Sequence, residues 1–445
     1  MSKVKSIIAG VAALAATACS STPSDEPVNP DVPRPAAPAA TNVIYQANPR
    51  FFGTEKCLDG VRAQTPRIAS MGCDILWLMP VCEPGELKAI GSPYCIRDFK
   101  ALNPRYGTMD DLKSLVDDAH AKGMRVILDW IANHTAWDCP WITEHPDWYR
   151  RDANGQIVAA NGWSDVAQLD YSAAGLRQAM KDAMLFWVDR AGIDGFRCDY
   201  AEGVPHDFWA DVIADIRTKD ADAFMLAESA DPAFYADGFN MIYDWSCATA
   251  IASAFNGGKT SAVVSEASDA WAKVPDDGRD GDSILRFVFN HDTAAVNNVA
   301  SMYGAPEAVP AAYVLASMLC GTPMIYSSMD VEGLSGRLSF FDYRTLDFSQ
   351  KLTDVYRAID DAFKASADAR CGTLADYSGA SVVCFTRSAN GRTLLVAVNT
   401  SGSKQSARMP ISLAGETMSD LIGGGSTAVP HMLELDPYAY VILMK

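Results

Sequence analysis

A chain of 445 residues, 49% of them hydrophobic, can bury a large core and form one big domain beside a smaller one. With 55 acidic against 37 basic residues it carries a formal charge of −18, which argues against nucleic-acid binding, since that relies on basic patches. The ten tryptophans, sixteen tyrosines and seventeen phenylalanines suit a binder of flat, weakly polar ligands and suit a large core equally well.

Residues 1–18 have the layout of an export signal: Lys3 and Lys5, then an apolar run from Ile7 to Ala18 that ends in small residues before Cys19. The run is too short to span a bilayer, which takes roughly 20 residues. Cys19 behind Ala16, Thr17 and Ala18 resembles the lipobox of bacterial lipoproteins, although Ala16 stands where leucine is usual. Residues 19–41, rich in proline with Ser, Ala and an Asp25-Glu26 pair, read as an extended tether that cannot build a core. The expectation is an exported protein held in a bacterial cell envelope by a lipid anchor at Cys19, with plain secretion as the alternative. Asp25-Glu26 faintly resembles an outer-surface export tag of some Gram-negative lipoproteins. Ten further cysteines allow disulfides. Cys73, Cys198 and Cys320 sit in apolar runs and read as small buried hydrophobes, and a pairing such as Cys82 with Cys95 stays open.

Beyond the tether, apolar runs without polar alternation recur: residues 42–46, 74–79, 125–129, 193–198, 224–228, 239–244, 284–289 and 323–326. Such runs are what strands covered on both faces look like. Helix-like segments separate them, over about 61–71, 112–119, 173–191, 206–218, 247–255, 262–273, 307–320 and 350–367. The clearest opens on Thr108-Met-Asp-Asp111, a capping box. Eight strands alternating with helices predict a closed (β/α)8 barrel, a TIM barrel, over residues 42–369. Residues 135–172, aromatic and rich in Pro, Gly and Asp, are too long for an ordinary connection and read as an insertion after strand 3 that walls a cleft. From residue 370 to 445 the period becomes two, with a hairpin signal at Asn390-Gly391, which predicts a C-terminal antiparallel β-sandwich domain.

The chemistry concentrates at strand ends. In Gly195-Phe-Arg197-Cys-Asp199, residues two apart share a face, so Arg197 and Asp199 point together. An arginine there is expected to keep Asp199 ionised, as a carboxylate nucleophile requires. Asp129 with Asn133-His134, Glu228, and His291-Asp292 end three other strands.

Those four segments, in order, resemble the motifs of the α-amylase family of retaining glycoside hydrolases, glycoside hydrolase family 13, over roughly residues 43–445. The block Pro93-Tyr94-Cys-Ile-Arg-Asp98 resembles that family's tyrosine platform under the cleaved sugar. The resemblance implies Asp199 as nucleophile, Glu228 as general acid/base, and Asp292 as a third catalytic carboxylate. It implies Tyr94, Asp129, His134, Arg197 and His291 as substrate-binding or positioning residues. A retaining glycosidase holds its two carboxyls roughly 5 to 5.5 Å apart, which neighbouring strands about 4.8 Å apart can deliver. Glu228, behind an apolar run, is expected to keep its proton.

The implied partner is an α-glucan, and no cofactor is required for the chemistry. The resemblance also offers a structural calcium ion at Asn133, with oxygens from Asp165 or Asp170. Two places depart from the family: Tyr200-Ala-Glu202-Gly203 replaces Ala-x-Lys-His, and Ser328-Met329-Asp330 replaces Gly-Gln-Glu. Alternatives of the same chemistry are a neopullulanase, an α-glucosidase or a transglycosylase. A different class, a non-catalytic surface glycan-binding lipoprotein, would be expected to have lost one of Asp199, Glu228 or Asp292.

Overall fold

The structure, a computed structural model, describes residues 41–276, 282–334 and 336–445. The export signal, Cys19 and residues 20–40 of the tether lie outside the described residues. Eight strands form the centre: β1 (Ile44–Ala47), β2 (Ile75–Leu78), β3 (Arg125–Ile131), β4 (Gly195–Asp199), β5 (Phe224–Ala227), β6 (Met241–Tyr243), β7 (Ser283–Phe287) and β8 (Thr322–Tyr326). Each pairs in parallel with its sequence neighbours, and β8 pairs with β1, closing the predicted barrel.

The two-residue period sorts the side chains. Trp77 of β2, Ile127 of β3, Phe224 and Leu226 of β5, Tyr243 of β6 and Phe287 of β7 fill the barrel interior as one cluster. The intervening residues, such as Leu76, Val126, Phe196 and Cys198, belong to the outer core shared with the helices. Both faces of every strand are therefore buried, so most read as apolar runs, while β4 buries its polar face too, with Arg197 and Asp199 inside the barrel. Gly195 has φ +144°, and a Cβ there would lie 1.9 Å from the carbonyl oxygen of Phe224, so β4 and β5 meet as closely as they do because residue 195 has no side chain.

The longer helices are α1 (Cys57–Ser70), α2 (Met109–His120), α3 (Ala174–Ala191), α4 (His206–Lys219), α5 (Trp245–Phe255), α6 (Ser261–Trp271), α7 (Ala308–Met318) and α8 (Gln350–Ala365). α2 opens on the expected box: Thr108 accepts from the Asp111 N–H, and the Asp111 carboxylate accepts from the Thr108 N–H. The insertion folds as a small sheet in which Trp163–Gln168 pairs with both His134–Ala136 and Ala159–Ala160. It grows directly from the end of β3.

The C-terminal region is antiparallel: a six-stranded sheet beside a ribbon of Gln405–Arg408 with Met432–Leu435. The hairpin turns at Asn390-Gly391, pairing Val382–Ala389 with Arg392–Asn399. Val383, Phe385, Leu394 and Val396 face the barrel's outer core, whereas Cys384, Leu395 and Ala397 pack with Ala407 and Leu435 of the ribbon. One reading is corrected at this junction. Cys320, expected to be a free buried thiol, forms a disulfide with Cys371 and staples the entry to β8 to the start of the C-terminal region. Cys73 and Cys198 are free and buried as expected, and Cys82 and Cys95 are not paired.

Candidate active site

The site is built around one guanidinium. Arg197, inside the barrel on β4, has no exposed side-chain surface. Its Nη1 donates to Asp129 Oδ1 at 2.6 Å and to Asp199 Oδ1 at 2.9 Å, and its Nε donates to the Tyr243 hydroxyl at 3.2 Å. Nη2 lies 2.9 Å from Glu228 Oε1, close enough for charge attraction but without hydrogen-bond alignment. Glu228 sits one residue beyond β5, where its N–H bonds the Cys198 carbonyl. Its Oε2 accepts the N–H of Tyr200 at 2.7 Å.

Above this floor opens a cleft of about 410 Å³ whose lining includes Tyr94, His134, Asp199, Glu228, His291 and Asp292. Asp199 and Glu228 thus face one space. Tyr94 stacks against His291, with ring centres 5.2 Å apart, and its hydroxyl donates to Asp129 Oδ2 at 2.9 Å. Gln46, at the end of β1, donates to His291 Nδ1 at 2.8 Å, leaving His291 Nε2 directed at Asp292 Oδ1, 3.4 Å away. Asp292 lies in the first turn of the short helix His291–Val296, opened by a box between Asn290 and Thr293. Burial pushes both histidines down to about 4, so both rings are neutral at physiological pH.

The carboxyls move the other way. Burial, the largest influence on each, pushes Asp129 up to about 6, Asp199 to about 7 and Glu228 to about 8. Arg197 pulls each back. Asp129 and Asp292 repel the charge on Asp199, and Asp199 and Asp292 repel that on Glu228. The expectation that Arg197 holds Asp199 in the ordinary ionised range is therefore corrected, because one guanidinium is shared among three buried carboxyls. All three are raised, Glu228 the furthest.

The structure brings all the expected residues together but in two layers. Asp199, Glu228, Asp292, Tyr94, His134 and His291 line the cleft, whereas Asp129 and Arg197 lie beneath it and hold the lining. Asp129 and Arg197 reach the cleft only through the side chains that they contact. Sequence reasoning missed Gln46, Trp77 and Tyr243, hidden in apolar strands, and Ser92, Ile90 and Phe340, which loops bring to the rim. Trp163 of the insertion reaches the cleft with its ring edge-on to both His134 and Tyr200. Asp330, in the departing segment after β8, instead accepts hydrogen bonds from both Arg67 and Tyr45 away from the cleft.

The calcium donors named from the resemblance do not converge. Asn133 Oδ1 accepts a hydrogen bond from Gln168 Nε2 at 3.0 Å, Asp170 Oδ1 caps the Ser172 N–H, and Asp165 lines the cleft. No group of three or more His, Cys, Asp or Glu among the described residues is placed to hold a metal ion. Calcium wants six to eight oxygens, and the residues around Asn133 do not fit that shell.

A family model described as the alpha amylase catalytic domain matches residues 45–338. The chain is 26% identical over 407 residues to "Alpha-amylase MalA" of Haloarcula japonica, an overlap covering 87% of this chain and 59% of that protein. It is 34% identical over 235 residues to the "Alpha-1,4-glucan:maltose-1-phosphate maltosyltransferase" of Burkholderia pseudomallei, covering 46% of this chain and 20% of that one. The chain therefore spans less than two thirds of the length of these relatives. Among solved structures it resembles an alpha-amylase from Lactobacillus plantarum, with a TM-score of 0.78, 29% identity, and coverage of 91% of this chain and 99% of that one.

Proposed function

The chain belongs to the alpha-amylase catalytic-domain family, and from that premise we propose that it is a retaining glycoside hydrolase cleaving α-1,4-glucosidic bonds of starch, glycogen or maltodextrins. The observation that carries this reading is that Asp199 and Glu228 face one cleft while each lies 2.9 Å from a different terminal nitrogen of Arg197.

In this reading Asp199 attacks the anomeric carbon as Glu228 gives its proton to the leaving oxygen, and a covalent glycosyl-enzyme forms. Glu228, now a carboxylate, takes a proton from the water that attacks the anomeric carbon and releases Asp199. Asp292 holds sugar hydroxyls and favours the distorted transition state, and Tyr94 gives the ring a stacking face. Arg197 and Asp129 keep the nucleophile in place from below. A dead barrel that only binds glycans is disfavoured, because all three carboxyls remain in the cleft. A sugar-phosphate donor is disfavoured too, since among the described residues the lining carries Asp165, Asp199, Glu228 and Asp292 and no Lys or Arg.

The test is the anomer first released from maltodextrin, followed by NMR, together with the rates of Asp199→Asn and Glu228→Gln. We expect the α-anomer first, and losses of several orders of magnitude in each variant with unchanged circular dichroism. Inverted product or near-wild-type rates refute the reading. Digestion of amylose, pullulan and isomaltose separates α-1,4 from α-1,6 preference within the same chemistry.

We further infer export and acylation at Cys19, which makes the protein an anchored envelope lipoprotein. Lys3, Lys5, the run to Ala18 and the proline-rich tether support this. An intact mass of the native protein that retains residues 1–18, or lacks acyl chains on Cys19, overturns it.

A further inference from the structure

The insertion's strand Trp163–Gln168 ends against β3, and a single carboxamide makes the joint. Gln168, 7% exposed, donates from Nε2 towards the main-chain oxygen of Asn133 at 3.0 Å, Asn133 Oδ1 at 3.0 Å and the main-chain oxygen of Leu169 at 3.3 Å. Two of these are main-chain carbonyls, which only accept, so the atom facing them is the NH2 group.

That orientation propagates. With Oδ1 turned to Gln168, the Asn133 Nδ2 faces His134 Nδ1 at 3.2 Å and donates to it. The ring's remaining proton, on Nε2, then points to the carbonyl oxygen of Tyr94 at 3.2 Å, another group that only accepts. Carbonyls at both ends leave one direction for the whole run from Gln168 through Asn133 and His134 to Tyr94. Gly203 packs on the same joint: a Cβ there would lie 2.3 Å from Asn133 Oδ1. The turn after Asp199 therefore rests directly on it.

We propose that the Gln168 carboxamide takes the place in which a calcium ion would gather these oxygens, and that it orients His134 and Tyr94 without a metal. Three oxygens converging on one point need a positive partner, and the two amide hydrogens supply it at no net charge. A cation at the same point would displace the amide and meet far fewer than the six to eight oxygens that calcium wants. Gln168 is thus a positioning residue, acting on the cleft through Asn133 and His134.

The experiment uses the full-length folded protein in three forms: wild type, Gln168→Glu and Asn133→Asp. Wild type is expected to melt at the same temperature in EDTA and in excess calcium chloride, and to retain no stoichiometric calcium by elemental analysis. Gln168→Glu sets a carboxylate against two carbonyls, so its melting temperature should fall in EDTA and recover saturably with calcium, by roughly 5 °C at a hundredfold excess over Kd. Should that variant fail to fold, Asn133→Asp keeps the acceptor for Gln168 but removes the donor to His134. The ¹⁵N shifts of His134, assigned with His134→Asn, should then leave the wild-type Nε2–H pattern. A calcium-dependent melting temperature or bound calcium in wild type overturns the proposal. So does an unchanged His134 spectrum in Asn133→Asp.

Discussion

The main-chain N–H of Tyr200 donates to Oε2 of Glu228 at 2.7 Å. Tyr200 directly follows Asp199 and sits at φ 41°, a left-handed conformation uncommon for a residue with a side chain. The backbone that ends the strand of Asp199 thereby turns to hold Glu228 on the neighbouring strand. The two carboxyls are coupled through the chain as well as through Arg197.

That coupling predicts a narrow pH profile. The proposed mechanism needs Asp199 ionised and Glu228 protonated, and burial pushes them up to about 7 and about 8. Plots of kcat/KM against pH for a maltooligosaccharide should show an acid limb and an alkaline limb flanking a maximum between those values, as apparent constants of the group. A broad plateau reaching down to pH 4 would contradict the buried arrangement.

The same shifts oppose stability at high pH. Glu228 is held near 8 against an ordinary 4.5, so between those values the folded state binds more protons than the unfolded one. Its contribution is full below pH 4.5 and is lost as pH rises through 8. Glu228→Gln should therefore melt several degrees higher than wild type at pH 9 and show little gain at pH 4. Thermal melts across pH decide it.

Cys320 and Cys371, 51 residues apart, close a loop that joins β8 to the C-terminal sheet. Chain-entropy arguments put such a bridge at about 4 kcal/mol. Cys371→Ser, or wild type under reductant, should lose several degrees in melting temperature by calorimetry. An unchanged melt would mean that the sheet is held by its apolar contacts alone.

Trp163, 43% exposed, stands over the cleft beside Tyr200, whose N–H holds the acid. In the proposed mechanism this is the leaving-group side, where the chain departs from its family at Tyr200-Ala-Glu202-Gly203. Trp163→Ala should lower kcat/KM on maltooligosaccharides by about tenfold, the worth of one aromatic contact. The loss on α-glucosyl fluoride, which has no leaving sugar, should be markedly smaller. Equal losses on both substrates would place Trp163 elsewhere in the reaction.

Much of this was legible from residue order alone. Mostly apolar runs marked the barrel strands, because a strand buried on both faces seldom has a polar side to show, and β4 stood out by carrying Arg197 and Asp199 on one face. The capping box at Thr108 and the turn at Asn390-Gly391 were legible for the same kind of reason: each is a local preference written within four residues. The shared face of Arg197 and Asp199 follows from the two-residue period of a strand.

What the sequence could not decide are quantities that depend on distant neighbours. Asp129 and Asp199 are the same chemical group on adjacent strands, yet Asp129 stands in register with Arg197, two residues below Asp199, and so lies under the floor while Asp199 lines the cleft. Cys320 looked like any small apolar residue until the chain returned 51 positions later with Cys371 beside it. The heights of the carboxyl pKa values depend on how many charges share Arg197 and how little water reaches them. The ligand of Asn133 became Gln168 only through the folding of the insertion onto β3. Short-range periodicity specifies which way a side chain points along its own element; burial, charge balance and cross-chain pairing exist only once separate elements have been packed together.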